Sequence, residues 1–214
     1  MHTTRTSTVD DWMRALSEST GSPGGGAGAG VMLAIAASLT SMVAGYTEPS
    51  NGEKQEADAI LSRARSLRDD ALDLADEDSA ASAAFGAAFR LEKGPERDRA
   101  IRRASVDAAG TSARVGGRAV GAIDDLAWLA RHGNPALVAD VVVACGALRS
   151  AVAGARTNVS YDLGSLRSTG ERFDQIERDN PALWRSVKTF DDAIGRIDRL
   201  TAELDPRAAP TDVG

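Results

Sequence analysis

With one cysteine and two histidines, the chain is poor in the residues that usually carry redox and metal chemistry. Cys145 has no second cysteine to pair with, so an internal disulfide is excluded, and His2 and His132 are too few for a Cys/His metal site. Aromatic residues reach only 4% and β-branched runs are scarce, which argues against sheet. No polybasic stretch occurs. A net charge of -6 and a pI near 5.0 deny nucleic acid the basic face that its phosphates require. The first residues carry Asp10, Asp11 and Glu18 where an export signal needs an unbroken apolar core, so a cytoplasmic protein is expected.

What the chain has instead is alanine. Hydrophobic residues make up 43% of 214 residues, enough for a proper core, and alanine loses no side-chain entropy in a helix. The expectation is an all-α protein: a multi-helix up-and-down bundle with a long buried central helix, dimerising through its helices. One domain covers residues 1–205, and 206–214 form a flexible tail.

The stretch SPGGGAGAG, Ser22 to Gly30, sets the most flexible segment against the uncharged run VMLAIAASLTSMVAGY. Gly24, Gly26 and Ala29 match a loose dinucleotide fingerprint, but that motif follows a strand, and here a helix ending MRALSES precedes it. Gly24 to Thr47 is long enough to span a bilayer. Its small residues transfer poorly into lipid, however, and no Lys/Arg cluster flanks it, so no membrane partner is expected. A helix surrounded by other helices remains, begun by a turn whose amides face an anion or merely allow tight packing.

Along the chain, Thr8 caps a first helix that ends near Thr20. TEPSNGE is a loop in which Ser50 or Asn51 caps a long amphipathic helix running from Glu53 to the Gly94-Pro95 stop. Pro95 opens the next helix, which Gly110, Gly116, Gly117 and Gly121 weaken or break. Asn134-Pro135 and Asn180-Pro181 repeat a cap-then-proline start, and YDLGSLRSTGE between them reads as a loop or short turn.

Asp140 stands among Ala136, Leu137, Val138, Val141 and Val142, in a helix apolar almost all round, so its carboxylate is either a general acid or a structural group bonded to a neighbour. Arg149 and Arg156 share a helix face, as surface residues or as a grip on a carboxylate. Asn158 binds a ligand or caps the chain's exit. Asp73, Asp76, Glu77 and Asp78 form a solvated acidic face unless one of them turns to a cleft.

DDWMRALSESTGSPGGGAGAG, LADEDSAASAAFGAAFRL and ARHGNPALVADVVVACGALRSAVAGARTNVSYDLGSL, in that order, resemble the cyclodeaminase/cyclohydrolase family. The resemblance implies an all-helical cytosolic homodimer that takes a tetrahydrofolate derivative as substrate and has no bound prosthetic group. Its activity would be methenyltetrahydrofolate cyclohydrolase or formiminotetrahydrofolate cyclodeaminase. It places Asp140 and Asp78 as catalytic residues and Gly24, Gly25, Gly26, Asn134, Asn158 and Asp162 as substrate-binding ones, with no metal. Three positions depart from the family's polar pattern: Ala27 replaces a serine, and Ala80 and Ser82 stand where an acid and an aromatic are usual. Asp162 stands where relatives repeat asparagine. These departures imply either a diverged member acting on another amidine or imine, or a catalytically silent helical dimer that binds a ligand.

Overall fold

The computed structural model describes residues 3–19, 21–48 and 53–208. Eight α-helices account for most of them: α1 Val9–Ser17, α2 Gly25–Gly45, α3 Lys54–Phe89, α4 Pro95–Gly121, α5 Ile123–His132, α6 Val138–Ser165, α7 Phe173–Asp179 and α8 Pro181–Ala208. Their starts follow local chemistry. Thr8 accepts the amide of Asp11 at 3.1 Å to cap α1, and Pro95 and Pro181 open α4 and α8 at positions where no amide is needed. The expected caps at Ser50 and Asn51 and the first helix's end at Thr20 lie outside the described residues.

Small residues bring α2 and α3 close together. A Cβ on Gly30 would stand 2.9 Å from Ala75 Cβ and 3.1 Å from the Ala71 carbonyl, so only glycine fits this crossing. On its other side α2 packs against α6, which also meets α4 and α8. One continuous core follows, including Leu33, Ile60, Leu126, Leu148, Phe190 and Ile197.

Several expectations need correction. The glycines of α4 do not break it: Gly116 lies where a Cβ would be 2.4 Å from Phe190 Cζ, so this glycine serves packing against α8. We expect Gly116→Ala to cost about 1–3 kcal/mol of stability by overpacking, because the buried Phe190 ring has no free space to retreat into. Chemical denaturation would measure it. YDLGSLRSTGE is mostly helical, since α6 runs to Ser165, and α7 was not anticipated. Helix α8 continues through Pro206 to Ala208, so the expected tail begins as helix, and 209–214 lie outside the described residues.

Neither apolar helix is enclosed all round. Helix α2 buries Leu33, Ala36, Ala37, Val43 and Ala44 but turns Met32 and Ile35 outward at 42% and 43% exposure. Helix α6 likewise exposes Val143 at 59%. Both are long and apolar enough to cross a membrane by length and composition, yet 56% of the α2 window is buried against other helices, as in a core helix.

Candidate active site

The turn before α2 requires two special glycines. Gly21 has φ +82°, a left-handed conformation that favours glycine, and Gly26 leaves no room for a side chain. A Cβ there would sit 2.2 Å from Asp78 Oδ1 and 2.4 Å from Asp78 Cγ. The carboxylate of α3 thus rests on the bare first turn of α2, where no side chain caps the helix.

Asp78 is 3% exposed and well furnished with donors. Thr111 Oγ1 and Ser112 Oγ of α4 donate to Oδ1 at 3.3 and 3.4 Å, Ser82 Oγ donates to Oδ2 at 3.3 Å, and the Ala27 amide donates from α2. Burial pushes this carboxyl above its ordinary value, while those donors hold it back. The N-terminal end of α2 further favours the anion.

Across the cleft stands Asp162 of α6. Burial first, and the Asp78 charge second, push its carboxyl up to about 7. No hydrogen bond to its side chain occurs among the described residues, so nothing offsets that cost. Two coupled carboxyls therefore share one site, with Asp162 exchanging a proton near neutrality and Asp78 the better-anchored anion.

The cleft measures about 380 Å³ and includes Gly24, Gly25, Gly26, Asn158, Phe85 and Arg90 in its lining. Arg90 ends α3 and has no ion pair or hydrogen bond among the described residues, so its guanidinium is available to an anion at the mouth. Phe85 and Tyr161 also border a second hollow of about 480 Å³, which extends the site along an apolar wall.

Six of the expected site residues therefore meet: Gly24, Gly25, Gly26, Asp78, Asn158 and Asp162. Two do not. Asn134 is occupied at the far end of α2 and α6, where its Oδ1 accepts the Ala136 amide at 3.0 Å and its Nδ2 donates to the Tyr46 carbonyl at 3.3 Å. We expect Asn134→Ala to lose about 1 kcal/mol in thermal unfolding, as a missing cap does, while ligand affinity of the cleft stays unchanged. Asp140 lies in the first turn of α6, half-buried rather than enclosed. It stands on the same line of the helix as Asn158 but about 27 Å away at the helical rise of about 1.5 Å per residue.

Other charges have structural duties. Arg149 and Arg156 bind Asp198 and Asp191 and so pin α8; Glu77 pairs with Arg114, and Asp76 accepts the Thr4 amide at 2.8 Å. Of the departures noted above, Ala27 is fully buried beside Trp12 and Ala75, so a hydroxyl there would not line the cleft. Ser82 supplies a bond to Asp78. The donors Thr111 and Ser112 were missed, although two hydroxyls among the alanines and glycines of α4 were a readable signal.

A search of curated proteins finds no match. Among solved structures, a formiminotetrahydrofolate cyclodeaminase from Thermotoga maritima shares the fold, with a TM-score of 0.77, 20% identity, and coverage of 97% of this chain and 98% of that one. The family model described as formiminotransferase-cyclodeaminase matches residues 8–178, which include every cleft residue named above. By that match the chain belongs to the formiminotransferase-cyclodeaminase family.

Proposed function

We propose that the cleft is the active site of a folate one-carbon enzyme, which closes a formimino group onto a neighbouring folate amine with release of ammonia. The observation that carries this reading is the carboxyl pair at the bare end of α2, one member of which exchanges its proton near pH 7. The formimino group enters as an amidinium cation, and Asp78 provides the fixed negative charge beside it. The folate amine attacks the formimino carbon, forming the new C–N bond. Ionised Asp162 takes the proton from that amine and passes it to the departing nitrogen, whose bond to carbon breaks as ammonia leaves. The positive charge stays in the ring product, so atoms and charge balance. A group with pKa near the working pH is suited to both halves of this transfer.

The same pair would serve hydrolysis of a methenyl bridge, with Asp162 taking its proton from water. Incubation with 5-formiminotetrahydrofolate, following methenyl absorbance and ammonia together, tests the proposal: both should rise. Loss of absorbance from added methenyltetrahydrofolate would instead select the hydrolytic direction. If neither folate is turned over, the enzyme reading fails, and either a different amidine substrate or a silent ligand-binding dimer replaces it.

The protein acts in the cytoplasm as a homodimer in this reading, with the folate as its small-molecule ligand and no nucleic acid or membrane as partner. The uncharged outer faces of α2 and α6 support the dimer, because they expose more contiguous apolar surface than a monomer ordinarily leaves in water. Sedimentation at micromolar concentration should give twice the 22.3 kDa chain mass; a monomer mass would count against it.

A further inference from the structure

We infer that a second copy of this chain seats on the α2/α6 face with its helices running the opposite way, so that each cleft is completed by the partner's Asp140. This rests on the proposed homodimer and extends it to the composition of the site.

The face comes first. Helix α2 has no charged residue from Gly25 to Gly45. The outward line of α6 passes through Val143, Gly146, Ser150 and Thr157, equally uncharged, while Arg149 and Arg156 are drawn aside to α8. Two helices about 30 Å long lying about 10 Å apart present a patch on the order of 600 Å². A standard interface covers about 800 Å² on each partner, so this face is of the right size for a second copy. Being neutral, it is electrostatically compatible with itself.

Orientation follows from what lies at its two ends. Gly154 packs against Ala29, where an added Cβ would be 3.0 Å from Ala29 Cβ, and Asn134 bonds Tyr46, so α2 and α6 are antiparallel. The cleft, with Gly25, Asn158 and the 69% exposed Tyr161, therefore stands at one end of the face. Asp140 stands at the other, on the line of α6 that points toward α2. A two-fold axis lying along the helices would bring the two Asp140 carboxylates together. An axis across them carries each Asp140 to the partner's cleft, next to the N-terminal end of α2, where an anion is stabilised. The second arrangement avoids the like-charge contact and explains how a carboxylate about 27 Å from its own cleft reaches substrate. The partner's Asp140 then faces the cationic group from the side left open by Asp78 and Asp162.

Two experiments test this. In a Cys145→Ser background, the double variant Ala139→Cys/Thr157→Cys should oxidise to a covalent dimer, while each single variant should not. Those two positions are too far apart on one helix to bridge within a chain, so any bond between them joins two chains. Absence of the covalent dimer overturns the orientation, whatever the substrate proves to be. For the site, Asp78→Asn and Asp140→Asn chains, each inactive alone, are mixed under conditions that exchange subunits. Half the dimers become mixed and each regains one intact cleft, so about a quarter of wild-type turnover of formiminotetrahydrofolate should return. If the wild type is active and the mixture stays dead, Asp140 is not supplied by the partner. If the wild type itself is inactive on folates but the covalent dimer forms, the folate reading fails and the docking geometry stands.

Discussion

Replacing Asp162 with asparagine is expected to lower turnover by ~100-fold or more while leaving the bundle folded, the range for a lost general acid or base. Asparagine keeps the volume and has no proton to exchange. Wild-type turnover should rise with pH through about 7, as Asp162 ionises, and flatten above it; in the variant this inflection should vanish. Stability should move the other way. Unfolded, Asp162 ionises near the ordinary 3.8, whereas folded it holds its proton up to about 7. Between those values the unfolded state has released a proton that the native state retains, so rising pH costs stability until the folded carboxyl also ionises. Above pH 7 the variant should therefore melt higher than the wild type. Higher stability with lost turnover is a combination that a merely structural carboxylate would not produce.

The second large effect is expected at Gly26. An alanine there would place Cβ 2.2 Å from Asp78 Oδ1, and the carboxylate is not the free end of a mobile chain: it is buried and held by Thr111, Ser112, Ser82 and the Ala27 amide. Either α2 shifts, at about 1–3 kcal/mol of overpacking, or Asp78 leaves its donors. Both outcomes remove the fixed anion, so turnover of the folate substrate should fall by ~100-fold alongside a lower melting temperature. Gly25→Ala is the contrast. Nothing lies within 4 Å of its Cβ position, so stability should hold while the added methyl intrudes on the ligand's approach and weakens binding.

Helices were legible because their determinants are local: alanine content, Thr8, Pro95 and Pro181 each act within a turn or two of themselves. The glycine turn was legible as a site for the same reason, since Gly24 to Gly26 is an extreme of local composition. Asp78 was visible only as one acid in a run, because choosing it over Asp76 or Glu77 requires knowing which side of α3 meets α2. Asp162 was placed in a loop on the strength of nearby glycine and serine, yet packing against α4 carries the helix past it to Ser165. Asp140 was read as enclosed because its neighbours are apolar, whereas the outer side of that helix is bare in the monomer. An apolar face destined for another helix of the chain and one destined for a second copy have the same composition, and no local signal separates them.

The central claim is that the cleft holds two coupled carboxyls, with Asp162 titrating near neutrality against a buried Asp78. Carboxyl-selective carbon NMR of aspartate-labelled protein, titrated from pH 4 to 9 in wild type and in Asp162→Asn, measures this with no substrate present. The account predicts one side-chain carboxyl resonance titrating near 7 in the wild type and absent from the variant. Titration of every aspartate below about pH 5, in the ordinary carboxylate range, would contradict it.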